Sequence, residues 1–229
     1  MTGTVGIVLQ ARLASARLPF KAIAPIAGQP LLVHCIERLQ AGGRADVILA
    51  TTDRPEDDAL AMLAVSHGAR VYRGDATDVL ARYLGAAEAF GLDYVIRATG
   101  DNPAVECGGP GRVLDALAGG ADYVIEEGLP YGTCVEGMTR AALARAVRDC
   151  HRPQDREHVT LGIREAPERF RVQALEAPVG LRRPDLRLTV DTRADLLYMR
   201  DLFRAVAEAM PPLSRLIAAA DTFQRREAA

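Results

Sequence analysis

Val5-Gly6-Ile7-Val8-Leu9-Gln10 runs directly into Ala11-Arg12-Leu13-Ala14-Ser15-Ala16-Arg17-Leu18-Pro19-Phe20-Lys21. A short apolar run of strand length is followed by a loop holding three cations, and the same grammar repeats down the chain. Pro30–Gln40 reads as a helix with proline at its first position, Asp46–Thr51 as a second strand and Glu56–His67 as a helix. Arg70–Arg73 reads as a third strand, Thr77–Phe90 as a helix capped by Thr77, and Tyr94–Thr99 as a fourth strand. Strands alternating with amphipathic helices are the mark of βαβ units, so the expected fold is α/β: a mixed, mainly parallel sheet flanked by helices in one domain over residues 1–229.

The second half repeats this pattern less cleanly. It predicts a helix near Arg112–Ala118, a strand near Tyr123–Glu126, a Gly/Pro-rich turn through Gly128–Gly132, a helix over Arg140–Cys150, a last strand at Leu188–Val190 and a helix from Arg193. Met210 to Ala229 reads as a short helix and a charged, fraying tail.

A chain of 229 residues, 49% hydrophobic, can bury a full core without disulfide or metal staples. A net charge of −2 leaves no basic field to hold nucleic acid or an anionic membrane, so phosphate recognition has to be local. Cys35, Cys107, Cys134 and Cys150 lack CxxC spacing, and the N-terminus lacks the pattern of a secretion signal. These features predict reduced thiols and a cytoplasmic address. The longest apolar runs are strand-sized, which predicts no membrane span.

The loop after the first strand is the first candidate site. Ligands of open α/β sheets bind beyond the carboxyl ends of strands, and the guanidinium forks of Arg12 and Arg17 with the point charge of Lys21 suit a polyphosphate. The segment is neither a GxxxxGK[ST] loop nor a GxGxxG fingerprint. The fourth strand ends in Thr99-Gly100-Asp101-Asn102-Pro103, which holds a carboxylate at the same sheet edge. Mg²⁺ uses one or two carboxylates together with waters and substrate phosphates, so Asp101 needs a partner, and Asp191 at the end of Leu188-Thr189-Val190 is the candidate. An Asp-Thr pair at such a junction also serves as a helix cap. HExxH and GxSxG are absent, and His34, His67 and His158 read as structural.

With these residues in view, the chain resembles the family of spore coat polysaccharide biosynthesis protein F, which is similar to CMP-sugar-acid synthetases. The resemblance rests on Gln10-Ala11-Arg12, Ser15, Arg17-Leu18-Pro19 with Lys21, Gly28-Gln29-Pro30-Leu31, Ala50-Thr51-Thr52-Asp53, Arg73-Gly74 and Asp78-Val79-Leu80. It continues through Arg97, Thr99–Pro103, Arg156-Glu157-His158-Val159-Thr160 and Arg187–Asp191.

The resemblance implies a GT-A-like, Rossmann-like fold and a nucleotidyltransferase that joins the monophosphate of an NTP, CTP by analogy, to a sugar, sugar acid or sugar phosphate. It implies Lys21, Arg12 and Asp101 in catalysis. The nucleotide would be held by Gln10, Ala11, Arg12, Ser15, Arg17, Lys21, Thr52, Asp53, Arg97, Thr99, Gly100 and Asn102. Asp101 and Asp191 would bind Mg²⁺ or Mn²⁺, while Glu136, Arg156, Glu157 and His158 would line the acceptor pocket of a homodimer. Two rival readings are a glycosyltransferase using a nucleotide sugar and a non-catalytic nucleotide-binding homologue. Three departures fall near substrate: Phe20 stands where the family has glycine before the lysine, Glu106 where an Asp follows Asn-Pro, and Cys134 where an Asp precedes Glu136.

Overall fold

Ile7, Val8 and Leu9 are fully buried, so β1 (Val5–Gln10) has no solvent face and has to lie inside the sheet with helices on both sides. In the computed structural model, which describes residues 3–227, β1 pairs in parallel with β4 (Asp46–Thr52) and with β6 (Tyr94–Thr99). β5 (Arg70–Gly74) extends the parallel half beyond β4. β2 (Pro25–Ile26) and β3 (Gln29–Pro30) form a separate hairpin.

Beyond β6 the direction changes. β8 (Glu136–Thr139) lies antiparallel between β6 and β7 (Tyr123–Glu127), and β9 (Val172–Glu176) pairs in parallel with β7, giving a seven-stranded order β5-β4-β1-β6-β8-β7-β9. Gly137 in β8 is required by packing: a Cβ there would lie 2.3 Å from a Val113 methyl on α4 (Gly109–Ala118). The sheet reverses where α4 presses closest.

One core lies under α1 (Leu31–Ala41), α2 (Asp58–Ser66), α4, α8 (Arg193–Val206) and α9 (Leu213–Glu227). The opposite face carries α3 (Val79–Ala89), α5 (Arg140–Asp149) and the short α6 (Pro153–His158) and α7 (Leu161–Arg164). Among the described residues no helix is long and apolar enough to cross a membrane.

The strands of the first half match the expected βαβ order, with corrections in detail. α3 is capped by Asp78, whose carboxylate accepts from Ala81 N at 2.8 Å, because Thr77 spends its hydroxyl on Asp75. The helix expected from Glu56 opens as a 3₁₀ turn, Pro55–Asp57, before α2. Leu188–Val190 is no strand: Leu188 N donates to Tyr131 O and Val190 N to Asp101 O, both at 2.8 Å, so the segment is sewn to two loops instead of a sheet edge. α9 runs for 15 residues and is not short, while the end of the expected fraying tail, Ala228 and Ala229, lies outside the described residues.

Candidate active site

The loop after β1 leaves the sheet edge at Gln10 and is pinned by Leu13 N donating to the buried Asp57 carboxylate at 2.7 Å. Phe20 then adopts a left-handed conformation (φ 61°, ψ 15°), a region that favours glycine, and turns the chain so that Lys21 faces the sheet edge. Lys21 Nζ donates to Asp101 Oδ2 at 3.0 Å, to Asp191 Oδ1 at 3.2 Å and to Val190 O at 2.8 Å. Three loops far apart in sequence thus meet at one ammonium.

Asp191 is only 8% exposed and carries two further cations, Arg17 Nη2 at 2.7 Å and Arg187 Nη2 at 2.5 Å. Burial acts to raise its pKa, but Lys21, Arg187 and Arg17 together outweigh it and hold the carboxyl below its usual value. The capping box formed by Thr192 and Asp195 fixes the backbone, with Asp195 accepting from Asp191 N at 3.0 Å. Thr192 thus caps α8, as the second reading of this junction has it, while Asp191 lines the cleft. Gly132 (φ +89°) lets the Tyr131 loop close against it, since a Cβ there would lie 2.5 Å from Thr189 Cβ. Tyr131 itself stacks under the Arg187 guanidinium, 4.9 Å from the ring centre.

These groups form one end of a cavity of about 920 Å³. At the other end Glu136, on β8, is 6% exposed and fully used: it pairs with Arg97 and accepts from Tyr123 OH at 2.5 Å and Thr160 Oγ1 at 3.1 Å. Burial pushes its pKa up, and the charge of Arg97 with the Tyr123, Arg97 and Thr160 hydrogen bonds reverses the direction, leaving a carboxylate. Burial, reinforced by that carboxylate, raises the Tyr123 hydroxyl. Cys134 also lines the cavity, and burial lifts its thiol to about 11, which keeps it protonated and neutral where a carboxylate was expected.

Gln10, Ala11, Arg12, Ser15, Arg17, Lys21, Arg97, Thr99, Gly100, Asp101, Asn102, Glu136, Glu157, His158 and Asp191 all line this cavity. Three residues assigned to the site do not. Thr52 is buried with its hydroxyl on Asp57, and Asp53 is drawn away by its N–H to Gly74 O at 3.0 Å. Arg156 turns under α5 to Val147 O at 2.9 Å and Asp78 at 3.3 Å. His34 is structural, bonded to Ile26 O at 2.8 Å against the Phe203 ring.

Arg82 and Arg164 line the cavity without having been singled out in the sequence, and Thr160, which lines it too, and Arg187, which pairs with Asp191, were quoted there without a site role. Arg187 stands four residues before Asp191, and that charge spacing was the available signal. For Arg82 the signal was an arginine among apolar neighbours on α3.

Among the described residues no group of three or more His, Cys, Asp or Glu side chains could hold a metal. Asp101 and Asp191 nonetheless converge on one positive charge, and two carboxylates suit a hard ion that keeps waters and takes phosphate oxygens.

A cationic loop faces two carboxylates in a sheet-edge cleft, and the cytidylyltransferase family profile matches residues 6–216 of the chain. The chain belongs to the cytidylyltransferase family. Among its relatives, "Spore coat polysaccharide biosynthesis protein SpsF" of Bacillus subtilis is 35% identical over 212 residues, covering 88% of this chain and 87% of that protein. The 3-deoxy-manno-octulosonate cytidylyltransferase of Anaeromyxobacter dehalogenans is 31% identical over 119 residues, covering 51% of this cytidylyltransferase and 48% of the relative. Among solved structures, a cytidylyltransferase from Leptospira borgpetersenii superposes with a TM-score of 0.90 at 28% identity, covering 97% of this chain and 96% of that one. A CMP:2-keto-3-deoxy-manno-octonic acid synthetase complexed with CTP shares the fold at a TM-score of 0.66 and 19% identity, over 88% of this chain and 99% of that one. This cytidylyltransferase is thus a nucleotidyltransferase, and a Rossmann-like fold carries its site.

Proposed function

We propose that this enzyme transfers CMP from CTP to a sugar or sugar acid and releases pyrophosphate, with Mg²⁺ or Mn²⁺ held by Asp101 and Asp191, in making a surface polysaccharide or glycoconjugate. The observation that carries the reading is Lys21 bridging Asp101 and Asp191 beneath a loop bearing Arg12 and Arg17. The names of the relatives, a CMP-sugar-acid synthetase and a spore coat polysaccharide protein, supply the donor, acceptor class and setting.

In this reaction an acceptor oxygen attacks the α-phosphorus in line, the new P–O bond forms and the bond to the β-phosphate oxygen breaks. Lys21, Arg17 and Arg12 neutralise charge growing on pyrophosphate, so the chain acts by positioning and electrostatics. When bound, the divalent ion supplies Lewis-acid charge neutralisation at the phosphates and acidifies the attacking hydroxyl. In this reading His158 lines the cavity as an acceptor-binding residue. The enzyme acts as a homodimer in the same reading.

The test is pyrophosphate release from CTP across a panel of sugars, sugar acids and sugar phosphates with Mg²⁺. Stoichiometric pyrophosphate and a CMP-linked product are expected with one acceptor class. Pyrophosphate-free turnover of a nucleotide sugar, releasing a nucleoside diphosphate, would contradict the proposal.

A further inference from the structure

Arg82 is 3% exposed, lines the cavity and has no carboxylate partner. Its Nη1 donates to the Asp75 carbonyl at 2.6 Å, and its Nε is buried with no hydrogen bond. Neither nearby carboxylate bonds to it: Asp57 accepts from Leu13 N and Thr52, and Asp75 accepts through Oδ1 from Thr77 and Asp78 N. A buried guanidinium with no carboxylate in direct contact is costly.

The next carbonyl along, Ala76 O, holds Arg12 Nη1 at 3.0 Å. Arg12, from the loop after β1, and Arg82, from α3, are therefore anchored on adjacent carbonyls of one turn and open into the same cavity. Burial, and Arg12 as a neighbouring like charge, lower the Arg82 pKa against the pull of Tyr83 and the two aspartates. Arg12 meets the largely exposed Glu157 carboxylate at 3.7 Å, and among the described residues no buried carboxylate pairs with the two cations held side by side. A bound oxyanion does.

We infer that Arg82 and Arg12 form a two-arginine clamp for the polyphosphate tail of the nucleotide, with Arg82 as a binding residue beyond the loop of Arg12 to Lys21. The clamp rests on the proposal that the cavity holds a nucleoside triphosphate, and the probes below separate the two. A guanidinium–phosphate contact is shed on substitution with a loss of about tenfold or more in affinity.

Calorimetry with CTP, CMP and inorganic tripolyphosphate on the wild type and Arg82→Met tests it. Affinity for CTP and for tripolyphosphate should fall about tenfold or more while CMP binding stays within about twofold. The apo variant should melt at the same temperature or higher, because an uncompensated buried charge has been replaced by an apolar chain of similar length. A lowered apo melting temperature with unchanged CTP affinity would make Arg82 structural, and an equal loss on CMP would move its contact to the nucleoside; either overturns the clamp. Failure of CTP with retained, Arg82-dependent tripolyphosphate binding would overturn only the choice of nucleotide. Failure of wild-type protein to bind tripolyphosphate and CTP alike would overturn both.

Discussion

The two ends of the cavity hold charge in opposite ways. At one end Lys21, Arg17 and Arg187 gather around Asp101 and Asp191 on loop ends, partly open to solvent, with cations that can leave their carboxylates for phosphate oxygens. At the other, Glu136 is closed in by Arg97, Tyr123 and Thr160, and no atom of the carboxylate is left unused. The first arrangement is exchangeable and suits chemistry. The second is saturated and shapes a wall, so its loss should be felt in stability before turnover.

The sharpest way to break that contrast is to remove one carboxylate from each end. Asp101→Asn should lower kcat by about a hundredfold to a thousandfold, the usual cost of a lost electrostatic element, with a urea midpoint close to wild type. Glu136→Ala should do the reverse in emphasis, leaving the half-buried Arg97 unpaired at about 3 kcal/mol of unfolding free energy, read by urea denaturation. An active Asp101→Asn enzyme, or a Glu136→Ala protein as stable as wild type, would erase the distinction.

How much of this was legible follows the same division. The exchangeable end sits on strand ends whose pattern is plain, Val5–Gln10 and Tyr94–Thr99, and its charges follow directly in sequence, so Arg12, Arg17, Lys21 and Asp101 could be placed from the residues. The saturated end sits on β8, four residues of Glu-Gly-Met-Thr with neither alternation nor a β-branched run, and its strand was not foreseen. Gly137 there answers to α4, a contact between distant segments that no local pattern encodes. Leu188–Val190 misled for the opposite reason: its apolar run reads as a strand, yet its partners are two loops. Thr52 and Asp53 came from resemblance alone; neither lines the cavity, Thr52 holding its hydroxyl on Asp57 and Asp53 its N–H on Gly74 O.

Acid sharpens the comparison at smaller amplitude. Asp191 and Glu136 both have native pKa values below those of free carboxylates, so each contributes stability fully above roughly pH 5 and loses it as pH falls through its lowered native value. Urea midpoints taken from pH 7 to pH 3 should fall toward acid. Asp191→Asn should flatten that slope, and an unaltered slope would remove Asp191 from the ion network.

The smallest effect belongs to Phe20, 58% exposed and in a left-handed conformation that favours glycine. Phe20→Gly removes backbone strain and adds unfolded-state entropy, leaving stability within about 1 kcal/mol of wild type, whereas Phe20→Val should cost about 1 kcal/mol more than glycine because a branched Cβ resists positive φ. Equal melting temperatures for the two variants would show that the loop relaxes out of the left-handed turn.

The most direct measurement is calorimetric titration of the wild-type protein with CTP, UTP, GTP and ATP, each with and without Mg²⁺. Selective binding of CTP, strengthened by Mg²⁺ and weakened by Asp101→Asn, is the predicted result. Binding of no triphosphate, or of all four alike regardless of Mg²⁺, would contradict the account.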